Sequence, residues 1–261
     1  MMTVSLVTIT FRAERVLQPT LDSVMLQDYA HIQHIIIDGA SDDGTMDIVR
    51  TYERQCAQSG SHISLHVVSE PDNGIYDAMN KGLRLATGSY VCFLNAGDRL
   101  ADASTLTRVM QQADNYTESD MPAVIYGDTD IVDDSGTVLR PRHLRAPDTL
   151  TWRSFRRGML VCHQAFYART DIARNVNYNL SYRYSADVDW CIRVMKEADR
   201  RHLPMVKVDG VVAHYLEEGA TTEHHKESLH ERFQVMRSHY GLATTVVMHL
   251  WFAIAKLFKI R

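Results

Sequence analysis

Short apolar runs alternate with amphipathic stretches along the first hundred residues. The runs are rich in β-branched residues and bounded by polar residues, which predicts buried strands. These strands lie at Val4–Phe11, Ile32–Asp38, Ile63–Ser69 and Val91–Leu94. Between them, apolar residues recur at helical spacing and predict helices. The order β-α-β-α-β-α-β is typical of a parallel sheet with right-handed crossovers, so we expect an α/β fold with a mostly parallel central sheet flanked by helices.

The second half of the chain has a less regular pattern. It predicts helices at Asp102–Ala113, from about Tyr184 and at Glu223–Tyr240, and strands at Ala123–Val132, Thr137–Arg140, Ala165–Tyr167 and Met205–His214, with His163-Gln164 opening the third of these strands. The segment Arg140–Arg157 is basic, carries two prolines and is predicted to be irregular. It reads as a solvated loop, although its arginines could also meet an anionic ligand.

The last apolar stretch, Leu242–Phe258, has one charged residue, Lys256, and is short for a membrane span. At helical spacing, Thr245, His249, Lys256 and Lys259 form a polar stripe, and the apolar residues lie opposite. This pattern favours a helix lying in the plane of a membrane surface. The alternative is a helix that packs on the domain or on a partner subunit.

Polar loops follow three of the predicted strands: Asp38–Asp43, Glu70–Asn73 and Asn95–Asp98. The carboxyl ends of parallel strands lie along one edge of a sheet, where open α/β sheets bind their ligands. One loop alone could be a helix-capping turn, because Asp and Ser are favoured N-cap residues. Three such loops at one edge favour a binding site.

The loop after Val91–Leu94 carries the clearest chemistry. Asn95 and Asp98 offer hard oxygen ligands suited to Mg²⁺ or Mn²⁺, and such an ion could hold a diphosphate. Gly97 lets the backbone turn tightly between them. A second candidate is Asp187, in the first turn of a predicted helix, where it could also be a simple capping carboxylate.

Composition narrows the classes of function. Of the 261 residues, 45% are hydrophobic and 23% charged, and the formal net charge is -4, which gives no reason to expect nucleic-acid binding. The four cysteines are scattered without a CxxC pair and are expected to be reduced thiols. The amino terminus is predicted to be a strand and not a signal peptide. These features predict a cytoplasmic protein.

The sequence lacks the motifs of two common classes of nucleotide-binding protein, which are therefore excluded. No GxGxxG follows the first strand, where Thr8-Ile9-Thr10-Phe11-Arg12 stands instead, so an NAD-binding fold is rejected. No GxxxxGK[ST] is present, which excludes a P-loop.

Four motifs together resemble family 2 glycosyltransferases of the GT-A fold, closest to the colanic-acid or exopolysaccharide branch. They are the first-strand TITF, DGASDDGT at Asp38–Thr45, EPDNGIYDAMNKG at Glu70–Gly82 and FLNAGD at Phe93–Asp98. The resemblance is specific over residues 3–100 and weaker over 160–220, where it rests on His163-Gln164 and Ser185–Asp187. It implies a Rossmann-like GT-A domain at 1–220, with a nucleotide-sugar half at 1–100 and an acceptor half at 101–220, and C-terminal helices at 221–261.

The resemblance also implies site residues. Those expected at the nucleotide sugar are Thr8, Thr10, Arg12, Asp38, Asp72, Lys81, Asn95, Ala96 and Gly97. Asp98 would be the ligand of a divalent metal, and Asn95 in the first position of the DxD-type motif should weaken metal binding. Asp187 would be the catalytic base. His163, Gln164 and Asp189 would border the acceptor, although only one of Asp187 and Asp189 can face it, because residues two apart do not share a helix face.

The implied reaction is an inverting transfer from a nucleotide-diphosphate sugar, with UDP expected, to a hydroxyl of a glycan or lipid-linked oligosaccharide in cell-surface polysaccharide synthesis. One carboxylate acting as general base suffices for a single displacement. The expected location is the cytoplasmic face of the cell membrane. The alternatives are a catalytically inactive nucleotide-sugar-binding or scaffold subunit and a nucleotidyltransferase, which would usually carry a Gly-rich loop with Arg and Lys after the first strand.

Overall fold

The structure is a computed structural model that describes residues 2–58, 63–217 and 225–258. Its strands are β1 (Val4–Thr10), β2 (Ile32–Asp38), β3 (Ile63–Ser69), β4 (Tyr90–Phe93), β5 (Arg99–Leu100), β6 (Val124–Val132), β7 (Val138–Pro141), β8 (Phe166–Arg169) and β9 (Met205–Leu216). Its helices are α1 (Leu17–Met25), α2 (Thr45–Gln58), α3 (Ile75–Leu85), α4 (Thr105–Gln111), α5 (Thr170–Ala173), α6 (Ala186–Arg200), α7 (His225–Tyr240) and α8 (Leu242–Phe258).

The first half of the chain forms the parallel part of the sheet, in the order β3-β2-β1-β4. Val4 of β1 pairs with Ile32 on one side and Tyr90 on the other. All seven residues of β1 are buried, as expected for a strand covered by helices on both faces. The predicted α/β fold is confirmed, and the polar loops after β2, β3 and β4 lie at one edge of the sheet.

The second half extends the sheet with mixed pairing. β8 pairs antiparallel with β4 and β6, β6 runs parallel to β9, and β5 and β7 add short antiparallel ladders. The prediction that His163-Gln164 opens a strand is wrong. His163–Ala165 is a turn of 3₁₀ helix, closed by the bond from the Ala165 N–H to the Cys162 carbonyl (3.0 Å).

The basic segment Arg140–Arg157 is more ordered than predicted. It begins at the end of β7 and finishes in a 3₁₀ helix, Trp152–Arg157, whose first turn is closed by a Thr151–Ser154 capping box. Arg142 donates to the carbonyl oxygens of Leu144, Met159 and Leu160 at 2.6–3.4 Å. Arg142 therefore fixes the segment, and its guanidinium is directed at the backbone.

An aromatic stack joins the two halves under the sheet edge. Tyr178 stacks on Tyr76 of α3 (5.6 Å between centroids) and on Trp190 of α6 (5.0 Å), and Phe93 of β4 packs edge-on against both Tyr178 and Trp190. Trp190 is fully buried. The stack fixes the start of α3 against α6 across the end of β4, because large aromatic rings bury much apolar area in defined geometries.

The C-terminal helices pack on the domain. Helix α7 reaches α6 through His239, whose Nε2 lies 2.8 Å from the carboxylate of Asp189. The predicted helix at Leu242–Phe258 is confirmed as α8. None of the helices in the described ranges is long and apolar enough to cross a membrane. The side chain of Lys256 and residue Lys259, which the predicted polar stripe included, lie outside what is described.

Candidate active site

A cleft of about 530 Å³ opens at the carboxyl edge of the parallel strands. Its walls come from the ends of β1, β4 and β9, the start of α3 and the start of α6. Of the predicted site residues, those that line it are Arg12, Asp72, Asn95, Ala96, Asp98, His163, Gln164 and Asp187. A cleft of this size at a strand edge, with converging polar groups, has the features of a ligand site.

The Asn95–Asp98 turn forms the floor of the cleft. Gly97 has φ +99°, and a Cβ there would lie 2.9 Å from Cδ2 of Leu216, so a side chain is excluded both by conformation and by space. The turn places Asp98 in a buried position, where its side chain accepts a hydrogen bond from Nε2 of Gln164 (2.8 Å). Burial raises the pKa of Asp98 to about 6.

His163 stands between the turn and helix α6. Its Nε2 lies 3.2 Å from Nδ2 of Asn95, and its Nδ1 lies 3.5 Å from Oδ2 of Asp187. The tautomer with a proton on Nδ1 satisfies both contacts, because it donates towards Asp187 and accepts from the Asn95 amide. Oδ1 of Asn95 is then left buried with no partner in the described structure.

Asp187 faces the cleft from the first turn of α6. Its Oδ1 accepts a hydrogen bond from the hydroxyl of Tyr76 (3.2 Å). Burial opposes its ionisation, but the hydrogen bonds from His163 and from the Val188 N–H, with the charge of Arg232, outweigh this and lower its pKa. Asp187 is therefore a carboxylate at neutral pH, held by two side chains from other elements.

The donor set at the turn suits a weakly held divalent cation. The described residues contain no group of three or more His, Cys, Asp or Glu side chains that could hold a metal by themselves. The unpartnered Oδ1 of Asn95 and the carboxylate of Asp98 are both hard oxygen ligands. Mg²⁺ commonly binds through one or two such protein groups, with substrate phosphates and water completing the octahedron. The residues fit an ion that arrives with a phosphorylated ligand.

The opposite end of the cleft is built from the loops after β1, β2 and β3. Arg12 adopts a left-handed conformation (φ 47°), and its guanidinium makes a bidentate pair with Asp42 at 2.7 and 2.8 Å. Asp72 accepts from the N–H of Gly74 (2.8 Å), and its Oδ2 is so close to Gly39 that a Cβ there would lie 2.8 Å away. Asp72 also lines the same cleft as the Asn95–Asp98 turn, so the loops after β2, β3 and β4, which were predicted to converge, meet in space.

Several predicted nucleotide-sugar residues hold this edge together and do not line the cleft. Asp38 is buried and accepts from Ser41 and Ser69, and Thr8 lies 3.0 Å from Nε2 of the buried His34. The remaining members are Thr10, which is buried, Lys81, which bonds to the Pro71 carbonyl and Glu70, and Gly97, whose N–H donates to Thr20.

Asp189, predicted at the acceptor side, also lies away from the cleft. Its carboxylate is 7% exposed and is shared between Nε of Arg193 (2.7 Å) and Nε2 of His239 (2.8 Å). The geometry thus separates the two aspartates of α6, as the helix argument requires: Asp187 faces the cleft, and Asp189 faces α7.

Sequence reasoning missed three tyrosines that line the cleft: Tyr76, Tyr184 and Tyr215. Tyr76 lies in the first turn of a helix that begins directly after a polar loop at a strand end. An aromatic residue in that position could have been predicted to face the site. Tyr215 lies one residue beyond the predicted end of its strand, because β9 continues to Leu216. Tyr184 had no comparable signal.

Comparison with known proteins gives a consistent set of relatives. The family model described as "Glycosyl transferase family 2" matches residues 5–176. A protein named "PGL/p-HBAD biosynthesis glycosyltransferase" from Mycobacterium bovis (strain BCG / Pasteur 1173P2) is 33% identical over 192 residues, which cover 72% of this chain and 68% of that protein.

Solved structures share the fold. S. aureus TarS 1-349 in complex with UDP-GlcNAc matches with a TM-score of 0.69 at 17% identity, over 90% of this chain and 65% of that chain. The mannosyltransferase PcManGT from Pyrobaculum calidifontis, in complex with GDP-Man and Mn²⁺, matches with a TM-score of 0.63 at 18% identity, over 97% of this chain and 64% of that chain. A longer TarS chain is matched over 38% of its length.

Proposed function

This chain belongs to glycosyl transferase family 2, and we propose that it is an inverting glycosyltransferase. It moves a sugar from a nucleotide diphosphate, with UDP expected, to a hydroxyl of a glycan acceptor in cell-surface polysaccharide synthesis. The name of the mycobacterial relative and the UDP-GlcNAc bound to a structural neighbour support this class of donor and product. The colanic-acid-type branch remains part of the proposal, on the motifs of the first hundred residues.

The observation that carries the proposal is the position of His163. One imidazole ring contacts both Asn95 of the turn and Asp187 of α6, so the base and the donor-anchoring turn are separated by a single side chain. A sugar whose diphosphate lies over Asn95–Asp98 would have its anomeric carbon within reach of an acceptor hydroxyl at Asp187.

Asp187 has the properties required of the general base. It is ionised at neutral pH, faces the cleft, and keeps one fixed orientation through Tyr76 and His163. It takes the proton of the acceptor hydroxyl as that oxygen attacks, which contributes roughly 10²–10⁴-fold in rate. Attack from the face opposite the leaving diphosphate inverts the anomeric centre in one step.

Asp98, together with Oδ1 of Asn95, would hold a divalent cation, Mn²⁺ or Mg²⁺. When bound, such an ion supplies charge stabilisation to the leaving diphosphate. Arg12, Asp72, His163 and Gln164 all line the cleft. Arg12 and Asp72 would contact the donor, and His163 and Gln164 would border the acceptor. Residues 1–100 accordingly make up the donor half in this proposal and residues 101–220 the acceptor half.

The acceptor is proposed to be lipid-linked, which locates the enzyme at the cytoplasmic face of the cell membrane. Two features support this: the exopolysaccharide-type motifs and the apolar helix α8 at the end of the chain.

The test is a thermal-shift screen of the purified chain against UDP-, GDP- and dTDP-sugars, each with and without Mn²⁺. A ligand that binds only the folded state raises the melting temperature by mass action. We expect a shift with the UDP series that increases with Mn²⁺, and slow release of UDP without acceptor. If the donor binds but neither transfer nor hydrolysis occurs, the chain is an inactive donor-binding subunit; if no donor binds, the proposal fails.

A further inference from the structure

Helix α8 packs on the domain through its polar side. Thr245 is fully buried, and the ring of His249 packs edge-on against Phe233 of α7 at 5.0 Å. Met248 and Phe252 are half-buried, and six other large apolar side chains of the helix face outward. They are Leu242, Val246, Val247, Leu250, Trp251 and Ile254, each between 41% and 62% exposed.

This orientation is the reverse of that of an ordinary surface helix, whose apolar stripe faces the core and whose polar face is in water. Large contiguous exposed apolar surfaces mark sites where another molecule binds. The outward face of α8 therefore requires an occupant other than the domain to which the helix belongs.

A basic cleft adjoins this face. It has a volume of about 380 Å³ and lies between the 3₁₀ helix Trp152–Arg157 and α8, which contributes Thr244 and Met248. Arg153, Arg156 and Arg157 line it. Within the described residues no carboxylate pairs with these three guanidinium groups, and the neighbouring Asp148 pairs with Lys207. The cleft therefore has positive charge that is free to meet an anion.

We propose that α8 and the arginine cleft form a docking surface for an anionic phospholipid bilayer. The apolar face of α8 would lie at the boundary between headgroups and acyl chains, and a lipid phosphate would occupy the arginine cleft. Amphipathic helices with adjacent basic residues bind anionic membranes in this way, through buried apolar area and electrostatic attraction together. The inference rests on the proposed function only for its biological setting, an acceptor carried by a membrane lipid.

The charge distribution favours a lipid surface over a second copy of the chain. A two-fold symmetric contact places the same patch on both partners, so an interface centred on α8 would bring two arginine clusters towards each other. Like charges brought together across an interface are unfavourable. An anionic bilayer offers apolar contact and the opposite charge at once.

The test is co-sedimentation of the full chain with vesicles of phosphatidylcholine alone and with vesicles that also contain the anionic lipid phosphatidylglycerol, to which basic residues are attracted. We expect binding to the anionic vesicles that weakens with salt. The Arg156→Gln, Arg157→Gln double variant should bind about 25-fold more weakly, at about five-fold for each charge. Leu250→Glu should lose at least about ten-fold, because it places a charge in the apolar face.

Two control variants test whether a loss of vesicle binding is specific to this surface. Leu26→Glu changes an exposed leucine elsewhere (69%, against 59% for Leu250), and Arg174→Gln removes an exposed arginine outside the cleft; both should bind like the unchanged chain. Failure of the unchanged chain to bind anionic vesicles overturns the inference, as does unaltered binding by the arginine double variant. A dimer in sedimentation velocity that Leu250→Glu dissociates, without vesicle binding, would assign the face to a second copy.

The donor thermal shift, measured on the same samples, keeps the two proposals apart. A chain that binds UDP-sugar but no vesicles refutes the docking surface alone. A chain that binds vesicles but no donor refutes the proposed function alone.

Discussion

Two aspartates in the first turn of α6 provide a paired test of the active site. Asp187→Asn removes the negative charge that accepts a proton, while the amide oxygen can still accept the hydrogen bond from Tyr76. We expect kcat to fall about 10²–10⁴-fold, which corresponds to about 3–5 kcal/mol in the activation barrier. Donor binding should persist, because His163 separates the side chain of Asp187 from the Asn95–Asp98 turn, where the donor is proposed to bind.

Asp189→Asn should produce the opposite pattern. The Asp189 carboxylate is 7% exposed and is shared by Arg193 and His239, at 2.7 and 2.8 Å. Breaking a buried pair by neutralising one partner costs about 3–5 kcal/mol. Because Arg193 is about a third exposed to water, we expect about 2–3 kcal/mol, or a melting temperature lowered by about 5–10 °C. The chemistry should be nearly unchanged in the folded fraction.

The assay measures UDP release at saturating donor alongside the melting temperature with and without UDP-sugar and Mn²⁺. Activity should be lost in one variant and stability in the other. If Asp187→Asn keeps kcat within ten-fold of the unchanged chain, Asp187 is not the base. If Asp189→Asn loses as much activity as Asp187→Asn while melting normally, the assignment of the two helix faces is incorrect.

Burial lowers the pKa of His34 to about 3, well below its ordinary value near 6.5. The unfolded chain therefore binds the proton first, and the free energy of unfolding should fall as the pH drops from 6.5 towards 3, by about 2 kcal/mol at pH 5. Urea unfolding of His34→Gln should show a flatter pH dependence, and a slope equal to that of the unchanged chain would contradict the role given to His34. Gly97→Ala should abolish the donor-induced melting shift, whereas Gly210→Ala, also at positive φ but with its Cβ in ordinary contact at 3.6 Å, should retain it. Glu231→Ala should lower kcat with little change in the donor KM, because Glu231 accepts hydrogen bonds from the N–H groups of Arg183 and Tyr184, just before the proposed base Asp187; Glu231→Gln should restore part of the loss.

The structure of the first hundred residues could be predicted from the sequence because it is set locally. Strands such as Ile32–Asp38 and Ile63–Ser69 are apolar runs that end at polar turn formers, and the structure has both with the predicted bounds. Parallel connection then fixes which ends share an edge. The convergence of Asp72 with the Asn95–Asp98 turn followed from chain order and sheet topology alone.

The direction of each side chain in these residues could not be predicted from the sequence in the same way. Asp38 and Thr8 stand at strand positions next to the cleft, but their partners are Ser69 and His34 on neighbouring strands. A cross-strand partner depends on register, which the periodicity of a single strand does not report. The bonds of Asp38 and Thr8 to neighbouring strands therefore could not be predicted from the sequence, and their assignment to the nucleotide sugar stays a prediction.

The structure of residues 101–220 depends on long-range contacts, which explains why its prediction was less accurate. His163 lies in a 3₁₀ turn whose position is set by the antiparallel pairing of β8 with β4 and β6. The loop before Asp187 is held by Glu231, which accepts hydrogen bonds from the N–H groups of Arg183 and Tyr184, 48 and 47 residues earlier in the chain. Such contacts cannot be predicted from a local sequence pattern.

These contacts also connect the C-terminal helix α7 to the proposed base, Asp187. The family match ends at residue 176, ten residues before α6 begins, so Asp187 lies beyond it, while Tyr76 and His163, which contact its carboxylate, lie within it. Glu231 fixes the loop that leads into α6, and His239 fixes Asp189 in its first turn. Because both belong to α7, a shift of this helix would move the proposed base relative to the Asn95–Asp98 turn. The same helix carries Phe233, against which α8 packs, so the surface proposed to meet the membrane and the proposed base are connected through one helix.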